Sequence, residues 1–199
     1  MEKGGKNKTI IQTKHLLLLL ALRRVGPIGR YRLKEILDLT EHEGIVRRML
    51  EDLESKEYIS ASKTGSKLTK SGESHLKKIL ENYCIVKISK LDMHRLGMRN
   101  SYCIHLRDQA DKIDSVLKHR DDAVRAGALG AVVILFKNGK IEVPRVYSDL
   151  SSKDPYVTDL LIKNFDLFDN DMLIIGFADD EWRALEGALG TATRISMSR

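Results

Sequence analysis

At 199 residues, with 42% apolar and 31% charged positions, the chain is an ordinary soluble sequence, long enough for one large or two small buried cores. Its formal charge of +6 sits in one half: residues 1–82 carry 17 Lys+Arg against 11 Asp+Glu, and residues 83–199 carry 17 of each. The balance excludes charge as a reason for the second half to bind a polyanion and favours such a partner for the first, the plainer reading being a solvated basic surface.

Residues 1–12 are basic and glycine-containing, with no periodicity before Ile10, and are expected to be a flexible basic tail. A helix is predicted over 13–25, stopped by Gly26-Pro27. Its run of leucines from Leu16 follows several lysines as a signal peptide would. However, the apolar run is short, Arg23-Arg24 follows at once, and no small-residue cleavage site appears. A bilayer span needs about 20 such residues, so no membrane partner is expected. A helix apolar on all sides needs cover on more than one side, which suggests a second subunit or the second domain.

A second helix is predicted over 29–39, with Leu33, Ile36 and Leu37 inward and Arg30, Arg32 and Lys34 outward. Thr40 and Glu43 have the spacing of a capping box and should start a third helix, over 41–54. Ile45, Val46, Met49, Leu50 and Leu53 then share its inner face, and Glu41, Gly44, Arg47, Arg48 and Glu51 its outer one. A strand at 58–61, a turn at 63–66 and a return strand at 67–69 form a basic hairpin, and a helix over 71–82 leads on without a Gly/Pro/Ser linker, so rigid coupling of the halves is expected.

In the second half, 84–90 and 101–107 alternate as strands around a loop carrying His94, Arg95 and Arg99, with His105 and Arg107 on the polar face. A helix over 113–126, a strand at 131–136, an Asn138-Gly139 hairpin turn and a strand at 140–143 follow. Asp154-Pro155 should open a helix to about 164, Met172 begins a fully apolar strand ending at Phe177, and Asp179-Asp180-Glu181 should cap a last helix running to about 189. The order ββαββαβα predicts an antiparallel-rich sheet with helices on one face. Cys84 and Cys103 fall out of register for a disulfide, which fits a reducing cytoplasm. No His or Cys cluster has metal-ligand spacing, and no phosphate loop or dinucleotide fingerprint appears, so no cofactor, metal or catalytic residue is expected.

The helix Gly44-x-Val46-Arg47-Arg48-x-Leu50-x-x-Leu53, the hairpin after it, and Leu68-Thr69-x-x-Gly72 opening the next helix resemble the winged-helix domain of transcriptional regulators over residues 13–82. The resemblance implies an N-terminal winged helix-turn-helix that docks its third helix in the major groove of double-stranded DNA. The segment Ala126-Gly127-Ala128-x-Gly130 resembles the GAD domain, a ββαββα module of some aminoacyl-tRNA synthetases and amidotransferases, and implies an accessory domain over 83–199 without catalytic residues. As a whole the chain resembles an uncharacterised archaeal family joining a winged helix to such a domain.

The expectation is a DNA-binding transcriptional regulator of α+β class, working as a homodimer, with the second domain dimerising or sensing a small-molecule effector. Arg47 and Arg48 would grip guanine or phosphate, with Glu41 able to accept from cytosine and Gly44 leaving room for close approach. Lys63, Thr64, Ser66 and Lys67 would lie on the backbone or minor groove, and Arg30 and Arg32 near phosphate. An RNA- or tRNA-associated module, a protein-interaction module, and an enzyme acting through the residues from Asp179 to Glu181 are the alternatives.

Overall fold

The computed structural model describes residues 3–113 and 116–197, in two units, Met1–Leu80 and Glu81–Arg199. Unit 1 opens with α1 (Lys3–Val25), α2 (Arg30–Ile36) and α3 (Glu43–Ser55). The antiparallel pair β1 (Ile59–Ser62) and β2 (Gly65–Leu68) follows, and then α4 (Lys70–Asn82). Burial follows the helical period: Leu33 and Ile36 in α2, Val46 and Leu53 in α3, and Leu76 in α4 are buried, with Met49 and Leu50 half-buried beside them. Lys14 carries its ammonium to the Leu37 carbonyl at 2.5 Å, where a cation matches the negative end of α2.

Three expectations change here. First, α1 begins at Lys3, so Lys3 to Gln12 continue the helix instead of forming a separate tail. Secondly, α3 starts at Glu43 with His42 as its N-cap, so Thr40 is not the expected capping residue. Thr40 and Glu41 are consumed by the turn between the helices, which closes where the His42 N–H donates to the Leu39 carbonyl at 3.0 Å. Ile45 lies at the rim of the apolar stripe, 39% exposed. Thirdly, every residue from Leu16 to Leu22 is buried within the single chain, so these leucines give no reason to invoke a second subunit.

Unit 2 contains β3 (Ile85–Met93), β4 (Met98–Leu106), α5 (Val116–Arg125), β5 (Gly130–Lys137), β6 (Lys140–Glu142), α6 (Pro155–Asn164), β7 (Asp171–Ala178) and α7 (Glu181–Met197). Its five strands form one antiparallel sheet in the order β3-β4-β7-β5-β6. Asn138 and Gly139 take positive φ of 51° and 72°, the turn that Asn-Gly predicts between β5 and β6.

The sheet is covered on both faces, not one. Cys103, Ile134, Leu173 and Ile175 pack with Val157 and Leu161 of α6 and with Phe165 just past its end. On the other face a Cβ at Gly176 would stand 2.5 Å from the Ala184 carbonyl oxygen, so α7 lies directly on β7. This explains why β7 is apolar from Met172 onward: a strand buried on both faces has no polar side to show. The Asp154 carboxylate caps α6 through the Val157 N–H at 3.0 Å, and Asp180 caps α7 through Trp182 at 2.8 Å. Among the described residues no helix is long and apolar enough to cross a membrane.

Candidate nucleic-acid interface

The ten expected contact residues all lie in unit 1, on α2, on the turn before α3, on α3 and on the β1–β2 hairpin. Gly44, Arg47 and Arg48 stand at i, i+3 and i+4 on α3, so they share one exposed face while Val46 and Leu53 anchor the other. Arg47 donates from Nε to Glu51 at 2.7 Å, with the two side chains 65% and 57% exposed, and Arg48 donates to the Gly44 carbonyl at 3.2 Å. Pairs as open as these contribute only about 0–1 kcal/mol. A phosphate or a guanine edge can take over such a guanidinium at small cost. Glu41 is exposed in the turn before α3, and Arg32 is paired with Glu35 on the surface at 2.7 Å.

The β1–β2 hairpin closes with Lys63 and Thr64 as its two turn residues, since Ser62 pairs with Gly65. Lys63 and Lys67 are exposed. Thr64 and Ser66 have work inside the hairpin: the Thr64 hydroxyl is 3.0 Å from that of Ser62, and Ser66 exchanges both backbone hydrogen bonds with Ile28 at 2.9 Å. Gly65 has φ of +128°, and a Cβ there would sit 2.3 Å from the Ile28 carbonyl carbon, so the chain before α2 fits against the hairpin only because position 65 is glycine. The bridge therefore ties the hairpin to the segment that launches Arg30.

Two further candidates emerge on α2. Tyr31 is 69% exposed, with the Lys34 ammonium 4.9 Å and the Arg30 guanidinium 5.9 Å from its ring centroid. An exposed aromatic flanked by cations suits stacking on a base or sugar beside phosphate. The pattern Arg30-Tyr31-Arg32-x-Lys34 carried that signal in the sequence.

Gly44 is not demanded by the fold. A Cβ at that position would meet only the Arg48 side chain, at an ordinary 3.7 Å. In an exposed helix, glycine costs about 1 kcal/mol relative to alanine, so its presence calls for a reason outside the isolated unit.

Beneath the hairpin, His75 stacks on Tyr58 with ring centroids 4.0 Å apart. Burial pushes the pKa of His75 below the ordinary 6.5, with Lys56 and Lys78 adding to the shift. Burial likewise lowers that of His15, and His75 contributes. A folded-state pKa below the unfolded one means that stability is fully present above about pH 6.5 and is lost as pH falls through the folded values. Far-UV circular dichroism in urea should therefore show unit 1 weakening between pH 7 and pH 5, with His75→Gln reducing the slope. His105 in unit 2 is shifted the same way by burial, and Trp182 fluorescence follows that unit separately.

The polar candidates of the second half are engaged in contacts within the fold. Asp180 is the cap of α7, Glu181 pairs with Lys90 at 3.2 Å, and the Asp179 carbonyl accepts from Asn100 at 2.6 Å. His105 is not on a solvated face: it is buried and donates from Nε2 to Asp171 at 2.7 Å, while Arg107 reaches the same carboxylate. His94 and Arg95 lie in a 3-10 turn between β3 and β4, where Arg95 covers the Tyr156 ring at 4.5 Å.

Residues 97–195 match the model of DUF4443, described as a domain of unknown function. The fold is similar to that of the hypothetical protein PH0730 from Pyrococcus horikoshii OT3, with a TM-score of 0.68 and 24% identity over 92% of this chain and 91% of that one. No curated protein matches the chain. Within its second unit the molecule is thus similar to DUF4443 over residues 97–195, and it shares its fold over most of its length with an archaeal protein.

Proposed function

We propose that unit 1 is a winged-helix head for double-stranded DNA. In this reading α3 enters the major groove, the β1–β2 hairpin is the wing on the backbone, and unit 2 dimerises the chain or senses an effector, which makes the whole a transcriptional regulator. The observation that carries it is the outer face of α3. Gly44, Arg47 and Arg48 stand exposed there, next in the chain to a hairpin with exposed Lys63 and Lys67, in the half that holds all the excess positive charge. The size of one helix face, its bidentate donors and nearby point charges match what base edges and flanking phosphates require.

The test is an anisotropy titration of a labelled duplex across salt. Neutralising about five phosphates predicts a log–log slope of about −4 to −5. Arg47→Ala and Arg48→Ala should each lower affinity, or relax base preference, by about 1–3 kcal/mol. Gly44→Ala separates fold from contact: helix propensity predicts up to about 1 kcal/mol of added stability, and close approach predicts weaker binding from the same substitution. A flat salt response with unchanged Arg variants would assign unit 1 to protein contacts. Preference for folded RNA over duplex at matched salt would assign it to RNA. Sedimentation equilibrium tests the dimer.

A further inference from the structure

Unit 2 holds a cavity of about 280 Å³ between the α6 face of the sheet and the loop that leads from β6 to α6. Met93, Met98, Val132 and Val143 give it apolar walls. A well-packed core of this size has few voids larger than a water molecule, so an opening this large, beside exposed Leu96 and Tyr147, is a feature to be explained.

Lys153 and Tyr147 line the cavity, and neither side chain has a hydrogen bond or ion pair among the described residues. Asp154 also lines it, but its carboxylate holds the Val157 N–H at 3.0 Å as the cap of α6. The polar groups that the lining offers to a ligand are thus the Lys153 ammonium and the Tyr147 phenol, among otherwise apolar walls.

We propose that this cavity binds a small amphipathic carboxylate, its apolar body against Met93, Met98 and Val132 and its carboxylate on Lys153. The volume sets the body at roughly ten carbon atoms, since a cavity of about 150 Å³ holds one benzene. Charge sets the head: an anion gains a charge-assisted bond from Lys153, whereas a cation of equal length meets a like charge. This deepens the effector part of the proposed function. It is tested without nucleic acid, so its outcome is independent of whether unit 1 binds DNA.

The experiment titrates the full chain, ¹³C-labelled at its methionine methyls, with decanoate and separately with decyltrimethylammonium. With decanoate, Met93 and Met98 should shift saturably with one-to-one stoichiometry while Met49 and Met197 stay in place. Lys153→Met should weaken binding about tenfold. Val132→Phe should fill the chamber and abolish binding, with Trp182 fluorescence checking that unit 2 is folded. The methionine shifts of the unaltered protein decide the matter if that variant does not fold. Absence of saturable shifts at Met93 and Met98, or equal affinity for the cationic amphiphile, overturns the proposal.

Discussion

Asp171→Ala is expected to destabilise unit 2 by about 3–5 kcal/mol, as several donors together lose a buried acceptor at about 1–3 kcal/mol each. Asp171 is fully buried, and its carboxylate gathers four donors, three from the stretch His105 to Asp108 and one from Phe168. Oδ2 accepts from His105 at 2.7 Å, Arg107 at 3.0 Å and the Phe168 N–H at 2.9 Å, and Oδ1 accepts from the Asp108 N–H at 3.1 Å. Burial holds the His105 pKa below its ordinary value even against the pull of Asp171, so at neutral pH a neutral imidazole donates its Nε2–H. Deleting the acceptor leaves the buried His105 donor and two backbone N–H groups without it, at about 1–3 kcal/mol for each that water fails to reach. Arg107, 38% exposed at its side chain, can turn to solvent and contributes least. Trp182 is the chain's one tryptophan and is buried in α7, so urea unfolding followed by its fluorescence reads this unit directly. A loss below about 1 kcal/mol would mean that the carboxylate is not the tie it looks to be.

His105 also shows where legibility stopped. Alternation along β4 set Tyr102, Ile104 and Leu106 against His105, and one face of an antiparallel sheet is commonly wet. The unbroken apolar run of β7 held the contrary evidence, because a strand apolar on both sides implies cover on both sides, and its neighbour β4 shares that cover. What no local pattern could supply was the partner, since Asp171 lies 66 residues away in sequence. Punctuation by turn and cap residues was legible for the opposite reason: Asn138-Gly139, Asp154-Pro155 and Asp180 act within a few residues of themselves. Thr40 and Glu43 mark the limit of that kind of reading, because the spacing of a capping box also occurs in a turn.

In the candidate interface, charge and exposure were legible because they follow from helical spacing. The bridge from Ile28 to Ser66 was not, because backbone pairing leaves no side-chain pattern. Nor was the cavity of unit 2, whose walls come from β3, β4, β5 and the loop before α6 and meet only in the folded sheet. The glycines of the Ala126-Gly127-Ala128-x-Gly130 segment have local reasons. Gly127 has φ of +92° just past α5, and Gly130 lies under the Phe177 ring, where a Cβ would come within 2.7 Å. Helix-to-strand packing thus accounts for the motif without a shared partner.

Gly72→Ala should destabilise unit 1 by about 2 kcal/mol or more, although alanine is the better helix former. Propensity favours the substitution by at most about 1 kcal/mol. Against it stands a backbone: a Cβ at position 72 would lie 1.9 Å from the Tyr58 carbonyl oxygen and 2.9 Å from its carbon. Neither atom can step aside as a side-chain tip would. The Tyr58 oxygen already accepts from the Thr69 N–H at 3.0 Å, while the Thr69 hydroxyl donates to Glu57 at 2.6 Å and accepts from Gly72 at 3.0 Å. Relief requires α4 to move off the start of β1, which strains those bonds and the Tyr58–His75 stack together, and overpacking of this kind costs about 1–3 kcal/mol or somewhat more. The overlap is with backbone, so the upper end applies and outweighs the propensity gain. Circular dichroism should show an earlier helical transition for the variant, with Trp182 fluorescence recording unit 2 for comparison. An unchanged or later transition would show that α4 does not press on β1. The spacing Leu68-Thr69-x-x-Gly72 is then a clamp: Thr69 fastens the end of the hairpin, and the missing side chain at Gly72 lets the next helix close on it. If the hairpin is the wing, the same substitution should also weaken duplex binding, because Lys63 and Lys67 are carried by the strands that the clamp holds.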